Sequence, residues 1–193
     1  RTGKFNKKWG VFGVGRLSLN TPLGIAVDSK DDIYVVDSGN SRIVKYSNIG
    51  VVKKIWGAQG TADGSFVFPD SIAVNREDEV LVLDRVRIQK FSSEGEVIST
   101  WGKAGIGDGE FARPMGIYID SNDYVYVADS GNNRIQKFDK KGKFIAKWGG
   151  TGTGDGQMMF PCGVAVDSRG YVYVIERDNN RLQLFGVVPS SEF

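Results

Sequence analysis

The chain has 193 residues, 40% of them apolar, which is enough for one sizeable core. No apolar run is long enough to span a bilayer, and a net charge of +2 singles out neither nucleic acid nor membrane as a partner. Cys162 is the one cysteine, so an intrachain disulfide is excluded without the compartment being fixed, and histidine is absent. No signal peptide is legible, and Arg1 stands where an initiator Met would, as processing or trimming would leave it.

In chain order, 3–10 reads GKFNKKWG, a pattern that returns as GKFIAKWG at 142–149. The stretch 115–149 shows the full unit: the runs GIYID, YVYVAD, RIQKFD and KFIAKWG alternate apolar and polar residues and are separated by turn residues. Period-two alternation punctuated this way predicts four antiparallel strands in a meander. Related copies occupy 22–57, 69–102, 114–149 and 161–186, the last cut short. Trp9, Trp56, Trp101 and Trp148 recur 47, 45 and 47 residues apart, and Arg42, Arg87, Arg134 and Arg181 recur 45, 47 and 47 apart. A period near 45 with four strands per unit predicts an all-β propeller of four blades, a single domain over 1–193. The 26 glycines suit turn-dense β architecture.

The segment 4–10 reads as an outermost strand with no inner strands before it, while 161–186 supplies only three. Pairing 4–10 beside 181–185 would complete the last blade, clasp the ring and bury Trp9 like its counterparts. Membership of a larger ring, or a ring shared by two chains, is the alternative. Linkers run over 11–21, 58–68, 103–113 and 150–160. Three carry Asp-Gly (Asp63-Gly64, Asp108-Gly109, Asp155-Gly156), then an aromatic (Phe66, Phe111 or Phe160), then a proline. Pro22, Pro69, Pro114 and Pro161 each open an innermost strand, where no ladder donor is needed.

The pattern P-x-G-[IV]-A-V-D, then a strand ending in D-S-G-N-x-R-[IL]-x-K-[FY], then G-x-[FV]-I-x-x-W-G resembles the NHL repeat over nearly the whole chain. The resemblance implies a β-propeller, usually of six blades, acting as a platform for protein or RNA partners, as a sensor domain, or in one branch as a metal-dependent lyase. That branch is expected to hold zinc through histidines, which this chain lacks. Fold alone does not choose among these functions.

A residue present in every blade is explained by blade geometry. Arg42, Arg87, Arg134 and Arg181, each following an acid (Asp37, Asp84, Asp129, Glu176) across a tight turn, are therefore expected to be structural pairs. The four tryptophans are expected to pack blade on blade. Positions that differ between blades are the candidates for binding. After each proline stand Leu23, Asp70, Met115 and Cys162; Ser71 replaces a glycine, and Tyr118 replaces an alanine. Arg85 and Arg177 occupy a turn that is Ser-Gly in other blades, Arg113 replaces a phenylalanine, and Met158-Met159 add adaptable apolar contacts.

No catalytic constellation, metal set or cofactor motif is legible. Asp28-Ser29-Lys30-Asp31-Asp32 resembles a calcium loop but lacks the Gly and distal Glu of an EF-hand, and reads as a solvated hairpin. The linker face balances basic and acidic residues, which argues against RNA. Lys7, Lys8, Lys45, Lys53, Lys54, Lys90, Lys137 and Lys147 form a basic rim on outer strands, expected to protect exposed edges. The expected function is non-enzymatic recognition of a protein or small ligand through the linker face, with a homodimer possible. The alternatives are a metal-dependent lyase or hydrolase at the axial opening, with Asp70 on the metal, and polyanion binding by the lysine rim.

Overall fold

The computed structural model describes residues 3–186. The protein is an all-β propeller of four antiparallel blades, and among the described residues only short 3-10 turns, Ser38–Asn40 and Ser130–Asn132, stand besides the strands. The first blade comprises Pro22–Val27, Ile33–Asp37, Arg42–Tyr46 and Val52–Trp56. The second comprises Pro69–Val74, Val80–Asp84, Arg87–Phe91 and Val97–Trp101. The third comprises Gly116–Ile119, Val125–Asp129, Arg134–Phe138 and Phe144–Gly149, and the fourth Pro161–Val166, Val172–Glu176 and Arg181–Phe185. Pairing within each blade is sequential, as hairpin turns of this length dictate.

The core lies between blades, in three clusters. Tyr34, Val36 and Ile43 of the first blade meet Ile72, Val80, Val82 and Phe91 of the second. Leu81, Leu83 and Ile88 meet Ile117, Val125, Val127 and Phe138 of the third. Tyr126, Ala128 and Ile135 meet Val166, Val172 and Val174 of the fourth. The tryptophans sit over glycines of the following blade: a Cβ on Gly95 would lie 2.7 Å from Trp56, and one on Gly142 would lie 2.5 Å from Trp101. The period thus encodes a step around the axis, since the second and third blades each bury one face on the blade before and the other on the blade after.

The first hairpin of each blade is tied by an Asx turn. Asp28 accepts the Lys30 and Asp32 N–H groups, and the Tyr34 hydroxyl donates to its other oxygen. Asp120 does the same with Asn122, Tyr124 and Tyr126. The calcium-like run from Asp28 to Asp32 is such a turn, with Lys53 and the buried Lys45 on Asp32.

The expected clasp is not made. Residues 3–10 form no strand, and among the described residues Arg181–Phe185 is paired on one edge only. Trp9 instead stacks on Tyr46 of the first blade, with centroids 6.3 Å apart, and Lys7 donates to the Ile49 carbonyl. Trp9 is 38% exposed, against 9% for Trp56. The innermost strands of consecutive blades touch, but those of the fourth and first blades make no comparable contact. Leu23, Ile25 and Val27 are 54%, 68% and 55% exposed, whereas Ile72 and Ile117, which align with Ile25, are 6% and 8%. The four blades therefore describe an arc whose first and last blades do not meet.

Candidate functional site

The linkers lie on one face, held there by the repeated arginines. Arg134 Nε donates to Asp129 at 2.8 Å, and its other nitrogens donate to the Ile106, Gly107 and Glu110 carbonyls at 2.7, 2.7 and 2.8 Å. Asp129 also accepts the Ala112 N–H at 2.7 Å. Arg42, Arg87 and Arg181 repeat this clamp on Asp37, Asp84 and Glu176 and on three carbonyls each of the preceding linker. Gln89, Gln136 and Gln183 bond the linker too, taking the Gly64, Gly109 and Gly156 N–H groups. Burial pushes the Glu176 carboxyl up, but bonds from Arg181, Met159, Asn179 and Gln183 outweigh it and hold its pKa below the ordinary value.

On this fixed face, a cleft of about 330 Å³ opens between the second and third blades, lined by Phe68, Asp70, Arg85, Arg113, Pro114 and Met115. The ladder register shifts between Pro69 and Ser71, so Asp70 is the extra residue of a bulge, a device that re-aims a side chain. Half-burial pushes its carboxyl pKa up. Arg85 and Arg113 both hold positive φ, 57° and 47°, which turns exposed guanidinium groups over the cleft mouth. The Arg85 N–H donates to the Phe68 carbonyl, which fixes the turn. Arg113 also lies over the Phe160 ring at 5.4 Å, on which Arg177 stacks at 3.8 Å while pairing with Asp178. A second cleft of about 360 Å³ on the same face is lined by Thr61, Val67, Arg85, Val86 and Ala104, so Arg85 borders both.

Asp70, Arg85, Arg113 and Met115 thus come together, with Arg177 one blade away. The other candidates lie elsewhere. Leu23 is on the exposed face of the first blade. Ser71 accepts the Ile117 N–H at 3.4 Å, linking two innermost strands. Tyr118 reaches the fourth blade, donating to the Val166 carbonyl at 3.0 Å, which fills a position that is alanine in other blades with an interblade bond. Cys162 is half-buried and its thiol faces the Ile175 carbonyl.

Contrary to expectation, Met158 is fully buried, in the position of Phe66 and Phe111, and offers no surface to a partner. Phe160, directly before its proline, is the counterpart of Phe68 and not of Phe66 and Phe111. Two lysines of the expected rim are likewise not on the surface. Lys45 and Lys90 are 4% and 7% exposed, because they neutralise Asp32 and Glu79 in the space between blades, while Lys147 pairs with Asp108 at 2.5 Å. Phe68 and Pro114 were missed as cleft walls; the signal was their adjacency to Asp70 and Arg113.

The profile of the NHL repeat matches residues 19–46 and 111–138. No curated protein matches the chain. Among solved structures it is similar to a streptogramin B lyase (14% identity, TM-score 0.65, 88% of this chain and 55% of that one). It is similar to a catalytically inactive virginiamycin B lyase from Staphylococcus aureus with quinupristin (14%, TM-score 0.64, 89% and 57%). It is also similar to a protein of unknown function from Bacteroides thetaiotaomicron (17%, TM-score 0.67, 86% and 47%). The chain spans about half the length of these structures, and at such identities the likeness is one of fold.

Proposed function

We propose that this NHL-repeat β-propeller is a non-enzymatic binding module that takes a protein partner or small ligand on its linker face, in the cleft between the second and third blades. The observation that carries the reading is the meeting of Asp70, Arg85, Arg113 and Met115, residues that depart from the repeat, in one cleft on an arginine-clamped surface. Function concentrates on loops held by a rigid scaffold, and arginine beside apolar and aromatic walls is the composition of recognition surfaces. The exposed guanidinium groups favour a ligand that carries a carboxylate or another anionic group. A metal on Asp70 fits the surroundings poorly. Two arginines share the cleft, and among the described residues no group of three His, Cys, Asp or Glu side chains could hold an ion. The lyase neighbours share the fold, and a shared fold assigns no chemistry to this cleft.

Selection of a random peptide library on the chain, followed by titration of selected peptides, tests this. Arg113→Ala and Asp70→Asn should each weaken the selected peptides about tenfold or more, the scale of a desolvated polar contact. Arg169→Ala, on the opposite face, should leave them unchanged. Peptides that bind all three variants equally well would refute the assignment of the face.

A further inference from the structure

The two ends of the arc each expose an apolar face. On the fourth blade, Ile175 and Leu182 stand where Val36 and Ile43 of the first blade are fully buried against its neighbour; here they are 48% and 59% exposed. Leu184, 55% exposed, stands where the first three blades carry Lys45, Lys90 and Lys137. At the other end, Ile25 and Val27 of the first blade expose the face that Ile72 and Val74 of the second bury. Neither face is polar, and each has the side chains that the other's counterpart packs against within the chain.

The N-terminal segment fits the same step. Trp9 over Tyr46 matches Trp56 over Phe91 and Trp148 over Phe185, at centroid distances of 6.3, 6.0 and 6.3 Å. A Cβ on Gly50 would meet Trp9 as one on Gly95 would meet Trp56. The segment 3–10 therefore lies where the outermost strand of a preceding blade belongs, while the outer edge of Arg181–Phe185 is unpaired among the described residues.

We propose that two copies of this chain join head to tail around one two-fold axis. The fourth blade of each packs on the first blade of the other, and residues 3–10 of each add the fourth strand to its partner's last blade. The contact is heterologous, and such contacts close into a ring when the rotation per copy divides a full turn. The arc overlays about half of much longer propeller chains, as an arc of half a ring would. Closure pairs the open edge of Arg181–Phe185 and covers both apolar ends.

Analytical ultracentrifugation of the 193-residue chain at micromolar concentration tests this. The expected mass is twice the 21.1 kDa of one copy. A 21.1 kDa species, or a mass that climbs beyond two copies as concentration rises, would overturn the proposal. Ile25→Glu and Leu182→Lys, both at exposed positions, should each give monomers with an unchanged circular dichroism spectrum. Mixed together, they should again give a dimer, because one of its two interfaces is then free of both substitutions. Dimers that survive either substitution alone, or monomers that persist on mixing, would also overturn it.

Discussion

Replacing Arg134 by methionine keeps the aliphatic stem and deletes the guanidinium. Four hydrogen bonds go, one to Asp129 and three to the carbonyls of Ile106, Gly107 and Glu110. The Arg134 side chain is 10% exposed and that of Asp129 fully buried, so solvent cannot easily replace the lost partner of the carboxylate. Removing one member of a buried ion pair costs about 3–5 kcal/mol. Asp129 keeps donors from Ala112, Asn132 and Gln136, which places the expected loss near the lower end, about 3 kcal/mol. Urea unfolding followed by tryptophan fluorescence is the assay, and with an m-value of about 1–3 kcal/mol/M the midpoint should fall by about 1 M or more. Arg181→Met, at a side chain 26% exposed, should cost less than half as much. A loss below about 1 kcal/mol for Arg134→Met would refute the claim that these arginines fasten the linkers.

Gly95 holds φ +81° with Trp56 against it, while Gly170 holds φ +89° in open space. Gly170→Ala should cost only the left-handed strain of about 1–2 kcal/mol, and Gly95→Ala clearly more, because the indole must also shift; equal thermal shifts would contradict that packing. The Asp28 and Glu176 carboxyls are both pushed up by burial, and hydrogen bonds more than reverse the effect, so both native pKa values lie below the ordinary 3.8 and 4.5. Their contribution to stability is present above those values and lost as pH falls through the native ones, so the urea midpoint should drop steeply below about pH 4.5, and Glu176→Gln should flatten that drop. Asp70 has the opposite sign: its pKa is raised above 3.8 by burial, so its charge costs stability at neutral pH. Asp70→Asn should raise the midpoint slightly at pH 7 while weakening ligand binding, and a lowered midpoint would contradict the shift.

Local pattern made the hairpins, the repeat and the arginine–acid pairs legible, because each depends on spacing within one unit. The reach of Arg134 to linker carbonyls more than twenty residues away was not legible, since loop conformation decides it. Nor was the exchange of Met158 for Phe66 and Phe111, which becomes visible only when the cluster it completes is assembled. Tyr118 differs from its repeat counterparts for an interblade hydrogen bond, so departure from a repeat marks adaptation between neighbours as readily as recognition. The segment 3–10 carries the sequence of an outermost strand yet forms none, and it lies by the first blade rather than the last. Its placement depends on how far each blade turns about the axis, a property of packed side chains that no single unit encodes.

Each indole over a glycine also makes the molecule its own optical gauge. Trp9, Trp56 and Trp101 each touch a different blade through Gly50, Gly95 and Gly142, and the indole N–H groups of Trp56, Trp101 and Trp148 are buried without an acceptor among the described residues. A blade junction that opens would admit water to one indole at a time and shift its emission to longer wavelength. Variants that keep a single tryptophan could therefore time the parting of each junction separately and show from which end the arc comes apart.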